Sequence, residues 1–279
     1  KKVKPIVIIP AFDRTELFAE CLHRLEKNEY EFDVLIAPDR SITRDAVEID
    51  RIIRESKLKI KTLPRPPLRL GADKNIINSV NAAADMGHSH LILLGADILV
   101  SENFVHDLMA LSVKFDAFAA IPTTGRHSLD VKLEHVNSLV YGANTGQNFC
   151  CPVHIWRNIS PLVTAISDRY YKIKYDAHEH WCQRLVMRVL LDAARKIETL
   201  FTKPMLDHMD ANEIGTSEDG LITTVLAMYG IPMVSYAINR ASHPSDTGVN
   251  TTKEHYDQHY AGVAIDALPK ADPEKFKFI

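Results

Sequence analysis

Two hydrophobic rhythms take turns along the first half of the chain. Pro5 to Ile9 is a short β-rich apolar run, as expected of a buried strand. Thr15 to Lys27 then carries Leu17, Phe18, Cys21, Leu22 and Leu25 at helical spacing, with Asp13 or Thr15 available as cap. Phe32 to Ala37 predicts a second strand, and Thr43 to Ser56 a second helix through Ala46, Ile49, Ile52 and Ile53. Leu58 to Leu63 alternates apolar residues with lysines, the pattern of a strand with one wet face. Ala72 to Met86 is helical and stops at Gly87. His90 to Leu94 is a strongly apolar strand, Asn103 to Val113 a helix, and Ala117 to Ile121 another strand. Strands separated by helices of this length predict right-handed βαβ units and an α/β fold with a mostly parallel central sheet flanked by helices.

The second half is less regular. Gly142 to Gly146 reads as a loop, Phe149 to Ile155 as a strand-like segment, and Tyr175 to Leu200 as one long amphipathic helix. Ser217 to Tyr229 predicts a helix stopped by Gly230, and Ile231 to Ile238 a final strand. Beyond Arg240 the chain turns polar, as a covering loop and tail would. No linker divides it, so residues 1–245 are expected to form one domain, with a nucleotide-binding half over 1–121 and an acceptor and catalytic half over 122–245. Residues 246–279 are expected to be loop and tail.

Composition narrows the class. The chain is 46% hydrophobic and 25% charged with a formal net charge of −3, so no global basic field draws it to nucleic acid or an acidic membrane. Cys21, Cys150, Cys151 and Cys182 are too irregularly spaced for a disulfide framework, which suits reduced thiols and a cytoplasmic setting. No apolar run reaches the length of a membrane-spanning helix. Neither a phosphate-binding Gly-x-x-x-x-Gly-Lys loop nor a Gly-x-Gly-x-x-Gly fingerprint is present.

In a parallel sheet, ligands gather where strands end and the chain departs for the next helix. Pro10, Phe12, Asp13 and Arg14 follow the first strand, Asp39, Arg40 and Ser41 the second, and Asp97 the fourth. An aromatic can stack on a base, an Asp can hydrogen-bond base or ribose, and an Arg can face phosphate. Asp13 and Asp39 are equally suited to capping the helices that follow them.

This order resembles the GT-A glycosyltransferases, in particular glycosyltransferase family 2, over roughly residues 5 to 245. Pro10, Phe12, Asp13 and Arg14 stand where that family opens with Pro, an aromatic, Asn and Arg. Asp39 and Ser41 fit the end of its second strand, and Asn75, Asn78 and Ala82 to Ala84 its third helix. The resemblance implies a nucleotide-diphosphate sugar donor, a UDP-sugar first, held by Pro10, Phe12, Asp13, Arg14, Asp39, Asn75, Ala96 and Asp97. The family's Asp-x-Asp metal motif is reduced here to Gly95-Ala96-Asp97. The resemblance therefore implies Mn²⁺ or Mg²⁺ on Asp97 and His243, the rest of the coordination coming from diphosphate and water.

Thr216-Ser217-Glu218-Asp219-Gly220 looks like the family's Glu-Asp motif, which opens a helix before the last strand. The resemblance places the catalytic base of an inverting transfer there, Asp219 in preference to Glu218. A sugar hydroxyl needs such a base because it is a poor nucleophile at neutral pH. Thr216 and Asp219 also make a variant capping box, and acids in a first turn suit the helix dipole in any case. Asn144, Gln147 and Asn148 offer amides to sugar or nucleotide hydroxyls.

Other signals carry less. His178, His180 and Cys182 lack the further ligands of a zinc site. Lys57, Lys59, Lys61, Arg65 and Arg69 read first as guards of an edge strand, and second as contacts to a donor phosphate or a nucleic-acid acceptor. The acceptor is open, with a saccharide favoured and modified DNA bases among the alternatives. The missing first acid at Gly95 keeps a non-catalytic nucleotide-sugar-binding or scaffold protein as the rival reading.

Overall fold

A computed structural model describes residues 4–122, 132–141, 148–170, 218–242, 244, 265 and 268–279. Among these residues nine strands form one mixed, mostly parallel sheet in the order β11-β7-β9-β6-β8-β4-β1-β2-β3. The parallel block is β4 (His90–Leu94), β1 (Pro5–Ala11), β2 (Asp33–Pro38) and β3 (Ile60–Thr62). Its inner strands have almost no polar interior position because helices cover both sheet faces. Alternate residues of β1 sort to opposite sides. Val7 and Ile9 pack with α1 (Thr15–Leu25), α2 (Thr43–Glu55) and α4 (Phe104–Phe115), whereas Ile6 and Ile8 face α3 (Ala72–Ala84) and two later helices.

Those later helices are α5 (Val153–Tyr170) and α6 (Glu218–Met228). The strand-like segment predicted over Phe149 to Ile155 divides between the sheet and α5. β8 (Asn148–Pro152) is a fully buried strand, and Val153 already belongs to α5. A strand buried on both faces has no alternation to mark where it stops. β8 runs antiparallel between β4 and β6 (Phe118–Ala120), and so interrupts the parallel order. β6 pairs parallel with β9 (Met233–Tyr236), the last predicted strand, which is shorter than its apolar run.

Most predicted boundaries contract by one or two residues. α1 ends at Leu25 and α3 at Ala84. Gly87 and Gly230 follow α3 and α6 with φ of +82° and +67°, a left-handed backbone that favours glycine. β3 lies at the sheet edge, where exposed Lys59 and Lys61 keep that edge charged. The polar C-terminal stretch is more than a cover. β11 (Lys277–Phe278) pairs parallel with β7 (Ser138–Tyr141) at the opposite edge, and β7 runs antiparallel to β9. A separate ribbon joins β5 (Leu99–Val100) to β10 (Ala241–Ser242). The predicted loop at 142–146 and the long helix at 175–200 lie outside the described residues.

Candidate active site

Because β1, β2 and β4 are parallel neighbours, their carboxyl ends open on one edge. Ala11 pairs with Pro38, and Asp39 N–H donates to Ala11 O at 2.8 Å. Pro10 is half-buried at the end of β1, and Phe12 lies just beyond it. The Arg69 guanidinium sits 4.2 Å from the centre of the Phe12 ring, a cation–π contact. Arg69 thereby belongs to the site edge rather than to the edge-strand lysines with which sequence reading grouped it. Its neighbour Arg65 is committed elsewhere, in a two-pronged pair with Asp50 at 2.9 Å.

The capping alternatives for the strand-end acids do not hold. The N-cap residues are Arg14 for α1 and Ile42 for α2, neither with a side-chain cap bond, and Asp13 is exposed. Asp39 is buried and turns away from α2. Its Oδ1 accepts from Arg40 N and Leu70 N at 2.7 and 2.8 Å, and its Oδ2 from Gly71 N at 2.7 Å. A carboxylate taking three backbone N–H bonds fixes the loop that enters α3. Asn75 is buried as well and donates to Ala37 O at 2.8 Å, which ties α3 to the end of β2. Both residues line up the edge from below.

Asp97 lies within a tight turn closed by Ile98 N–H to Gly95 O at 3.1 Å, and Ala96 packs on the core beneath. The Asp97 carboxylate is mostly buried and ion-paired with the Arg14 guanidinium. A base and an acid from different strand ends therefore meet across 83 positions of sequence. His243 lies outside the described residues. Ser242 pairs with Leu99, two residues past Asp97. Among the described residues, no group of three or more His, Cys, Asp and Glu converges as a metal cage. The donor set is one hard carboxylate oxygen beside an arginine. That fits a cation such as Mn²⁺ or Mg²⁺ only when diphosphate and water fill most of its shell.

The Glu218-Asp219 turn opens α6, and a residue that sequence reading passed over organises it. Asp73, in the first turn of α3, accepts Glu218 N–H at 3.1 Å and also hydrogen-bonds the Glu218 carboxyl. Glu218 is only 5% exposed, and burial, followed by the Asp73 carboxyl, raises its pKa well above the usual range. It is held neutral. Asp219 is half-buried, and its Oδ1 accepts from Gly220 N at 2.7 Å. Thr216, the other half of the expected capping box, lies outside the described residues. The only sequence signal for Asp73 was an acid in a helical first turn, and nothing local names a partner 145 positions away.

Asn148 lies opposite Leu94 at the end of β4, its Oδ1 buried without a partner among the described residues. Asn144, Gln147, His178, His180 and Cys182 are outside them. Cys150 and Cys151 are fully buried; burial pushes Cys150 up to about 12 and Cys151 also upward, so neither is a nucleophile. No described helix is long and apolar enough to cross a membrane.

No protein-family model matches the sequence, and no curated protein does. Solved structures do resemble it. The structure of GalNAc-T7 with UDP, GalNAc and Mn²⁺ is similar over 91% of this chain and 47% of its own, at 12% identity and a TM-score of 0.54. The chain thus spans about half the length of that protein. Mannosyltransferase PcManGT from Pyrobaculum calidifontis, in complex with GDP-Man and Mn²⁺, covers 81% of this chain and 74% of its own at 14% identity and a TM-score of 0.47. S. aureus TarS in complex with UDP covers 75% and 70% at 13% identity and a TM-score of 0.48. With its mixed sheet, two helical layers and strand-end acids on a common edge, the chain has the GT-A fold of glycosyltransferases.

Proposed function

We propose that the protein is a glycosyltransferase that moves a sugar from a nucleotide-diphosphate sugar to an acceptor hydroxyl with inversion. The observation that carries this reading is the gathering at one sheet edge of Phe12, Asp39, the Arg14–Asp97 pair and the α6 turn that presents Asp219. A UDP-sugar is the first donor to test. A saccharide is the favoured acceptor, and a modified DNA base the second, since exposed Lys57, Lys59 and Lys61 keep the β3 edge of the sheet basic.

Each residue has a task in that reaction. Phe12, stacked under Arg69, offers a flat surface to the base, while Pro10 and Ala96 shape the floor. Asp13 is exposed and free to reach ribose hydroxyls, and Asp39 and Asn75 hold the α3 entry in place. Asp219 takes the acceptor proton as the acceptor oxygen bonds to the anomeric carbon. The bond from that carbon to the diphosphate breaks, and its electron pair leaves with the nucleoside diphosphate. Arg14 is close enough to Asp97 to exchange that carboxylate for a phosphate oxygen. Asp97 and His243 would hold a divalent cation, which when bound supplies positive charge for the departing diphosphate. Burial and the neighbouring Asp73 carboxyl raise the Glu218 pKa, which supports Asp219 for the base role.

Thermal denaturation with UDP-, GDP-, TDP- and CMP-sugars, each with and without Mn²⁺, tests the reading. A donor at one hundred times its Kd stabilises by about 2.7 kcal/mol. Metal-dependent stabilisation by one donor, abolished in Asp97→Ala, is the expected result. A second reading, a non-catalytic nucleotide-sugar-binding protein, is favoured by Gly95 in place of an acid and by Arg14 occupying the remaining one. Donor binding without metal-dependent donor hydrolysis would decide for it. No shift with any donor would sink the glycosyltransferase reading.

A further inference from the structure

A helix that begins in the middle of a fold leaves backbone N–H groups without intrahelical partners. In α6 the first described N–H, that of Glu218, is satisfied by Asp73 from a different helix. The same Asp73 carboxyl meets the Glu218 carboxyl. Two carboxyls can hydrogen-bond only if one carries the proton, and two carboxylates in that place would repel. Asp73 is itself fixed from behind, because Asp39 grips Leu70 N and Gly71 N immediately before α3 begins. On its other flank Lys74 bonds Asp168 of α5 at 2.5 Å. Among the described residues, the charged and titratable groups that act on Glu218 are Asp73 from α3 and Asp219 from α6, with Lys74 next to Asp73 in sequence and paired to Asp168.

We infer that Asp73 is the positioning residue of the catalytic turn: it caps α6 from across the fold and, through one shared proton, latches Glu218 so that Asp219 is presented at the sheet edge. This rests on Asp219 being the base. The latch makes Glu218 a neutral clamp, and it links the donor side of the site, through Asp39 and the α3 entry, to the base on α6. Raising the pH until Glu218 ionises places two negative charges in contact and opens the clamp. Activity is then bounded on the alkaline side by the latch as well as on the acid side by the base.

Hydrogen–deuterium exchange over residues 218–222, together with Mn²⁺-dependent hydrolysis of the responding donor, tests this. Asp73→Ala is expected to speed exchange in the first turn of α6. It should lower kcat about tenfold to a hundredfold, the cost of a base misplaced by a fraction of an ångström to an ångström, with the donor KM unchanged. Asp73→Asn keeps an oxygen for the Glu218 N–H and should restore slow exchange and most of kcat. Glu218→Gln keeps an N–H to give Asp73 but has no proton to lose, so it should lower kcat less than tenfold and move the alkaline limb upward. Unchanged exchange in Asp73→Ala would overturn the cap. An equal loss of kcat in Glu218→Gln and Asp219→Asn would overturn the latch and make Glu218 chemical. Full activity in Asp219→Asn would instead overturn the base assignment, while the exchange data still report on Asp73.

Discussion

Arg240 and Asp107 form an ion pair in which both side chains are 0% exposed, and breaking it should be among the costliest single changes in this fold. The pair is well furnished. Arg240 also donates to Pro269 O at 3.1 Å and Val136 O at 2.8 Å, and its guanidinium lies 4.6 Å from the Tyr236 ring centre. Asp107 Oδ1 accepts from Ala271 N at 2.9 Å, and Tyr236 O–H donates to Asp107 O at 2.9 Å. The pair thus ties α4, β9 and the C-terminal segment together. Arg240→Met removes the cation and leaves Asp107 buried and charged, a change that costs about 3–5 kcal/mol. At about 2–4 °C per kcal/mol for a chain of this size, the melting temperature should fall by roughly 6–20 °C. Asp107→Leu should be comparably damaging, since it strands the guanidinium and the Ala271 N–H. The double variant removes both charges and should cost at least about 2 kcal/mol less than the sum of the two, although Val136 O and Pro269 O still lose their donor. Urea denaturation of the four proteins at neutral pH, with the slope held as a check, reads each free energy. Strict additivity in that cycle, or a loss below about 1 kcal/mol for Arg240→Met, would refute the claim that the pair is a buried, coupled unit. Function follows stability here, because Arg240 leads directly into β10, which pairs with β5 beside Asp97.

Three further outcomes follow from the site and the sheet. Arg14→Gln frees the Asp97 carboxylate of a charged hydrogen bond, so calorimetric binding of Mn²⁺ without nucleotide should tighten about tenfold; an unchanged affinity would mean the pair does not guard the acid. Asp219→Asn should lower turnover of the responding donor by about 10²–10⁴-fold with donor-induced stabilisation intact, the split expected of a lost general base. His90, at the start of β4, is buried, and that burial pushes its pKa down to about 4. The unfolded chain therefore binds the proton first, and stability should fall as the pH drops from about 6.5 towards 4, by on the order of 2–3 kcal/mol. His90→Gln should flatten that slope in acid-range melting curves, and an identical slope would remove His90 as its source.

The sequence alone carried the order of elements through the first half, because burial of a strand or a helical face is written in neighbouring residues. The apolar runs Pro5 to Ile9 and His90 to Leu94 and the helical stripe Phe18, Cys21, Leu22 and Leu25 all fold as their rhythm requires. It also brought Asp39 and Asp97 to strand ends and Glu218 and Asp219 to a helix start. What those acids touch was decided only by the tertiary structure. Asp39 holds the α3 entry instead of capping α2, Asp97 meets Arg14, and Glu218 meets Asp73. The antiparallel insertion of β8 and the return of β11 to the sheet edge were equally invisible in a local pattern. Periodicity is set within a turn or two of chain, whereas these partners are 31 to 145 positions apart and find one another only when the sheet and its helices pack. The same separation is why the raised pKa of Glu218 belongs to the folded protein and to no stretch of its sequence.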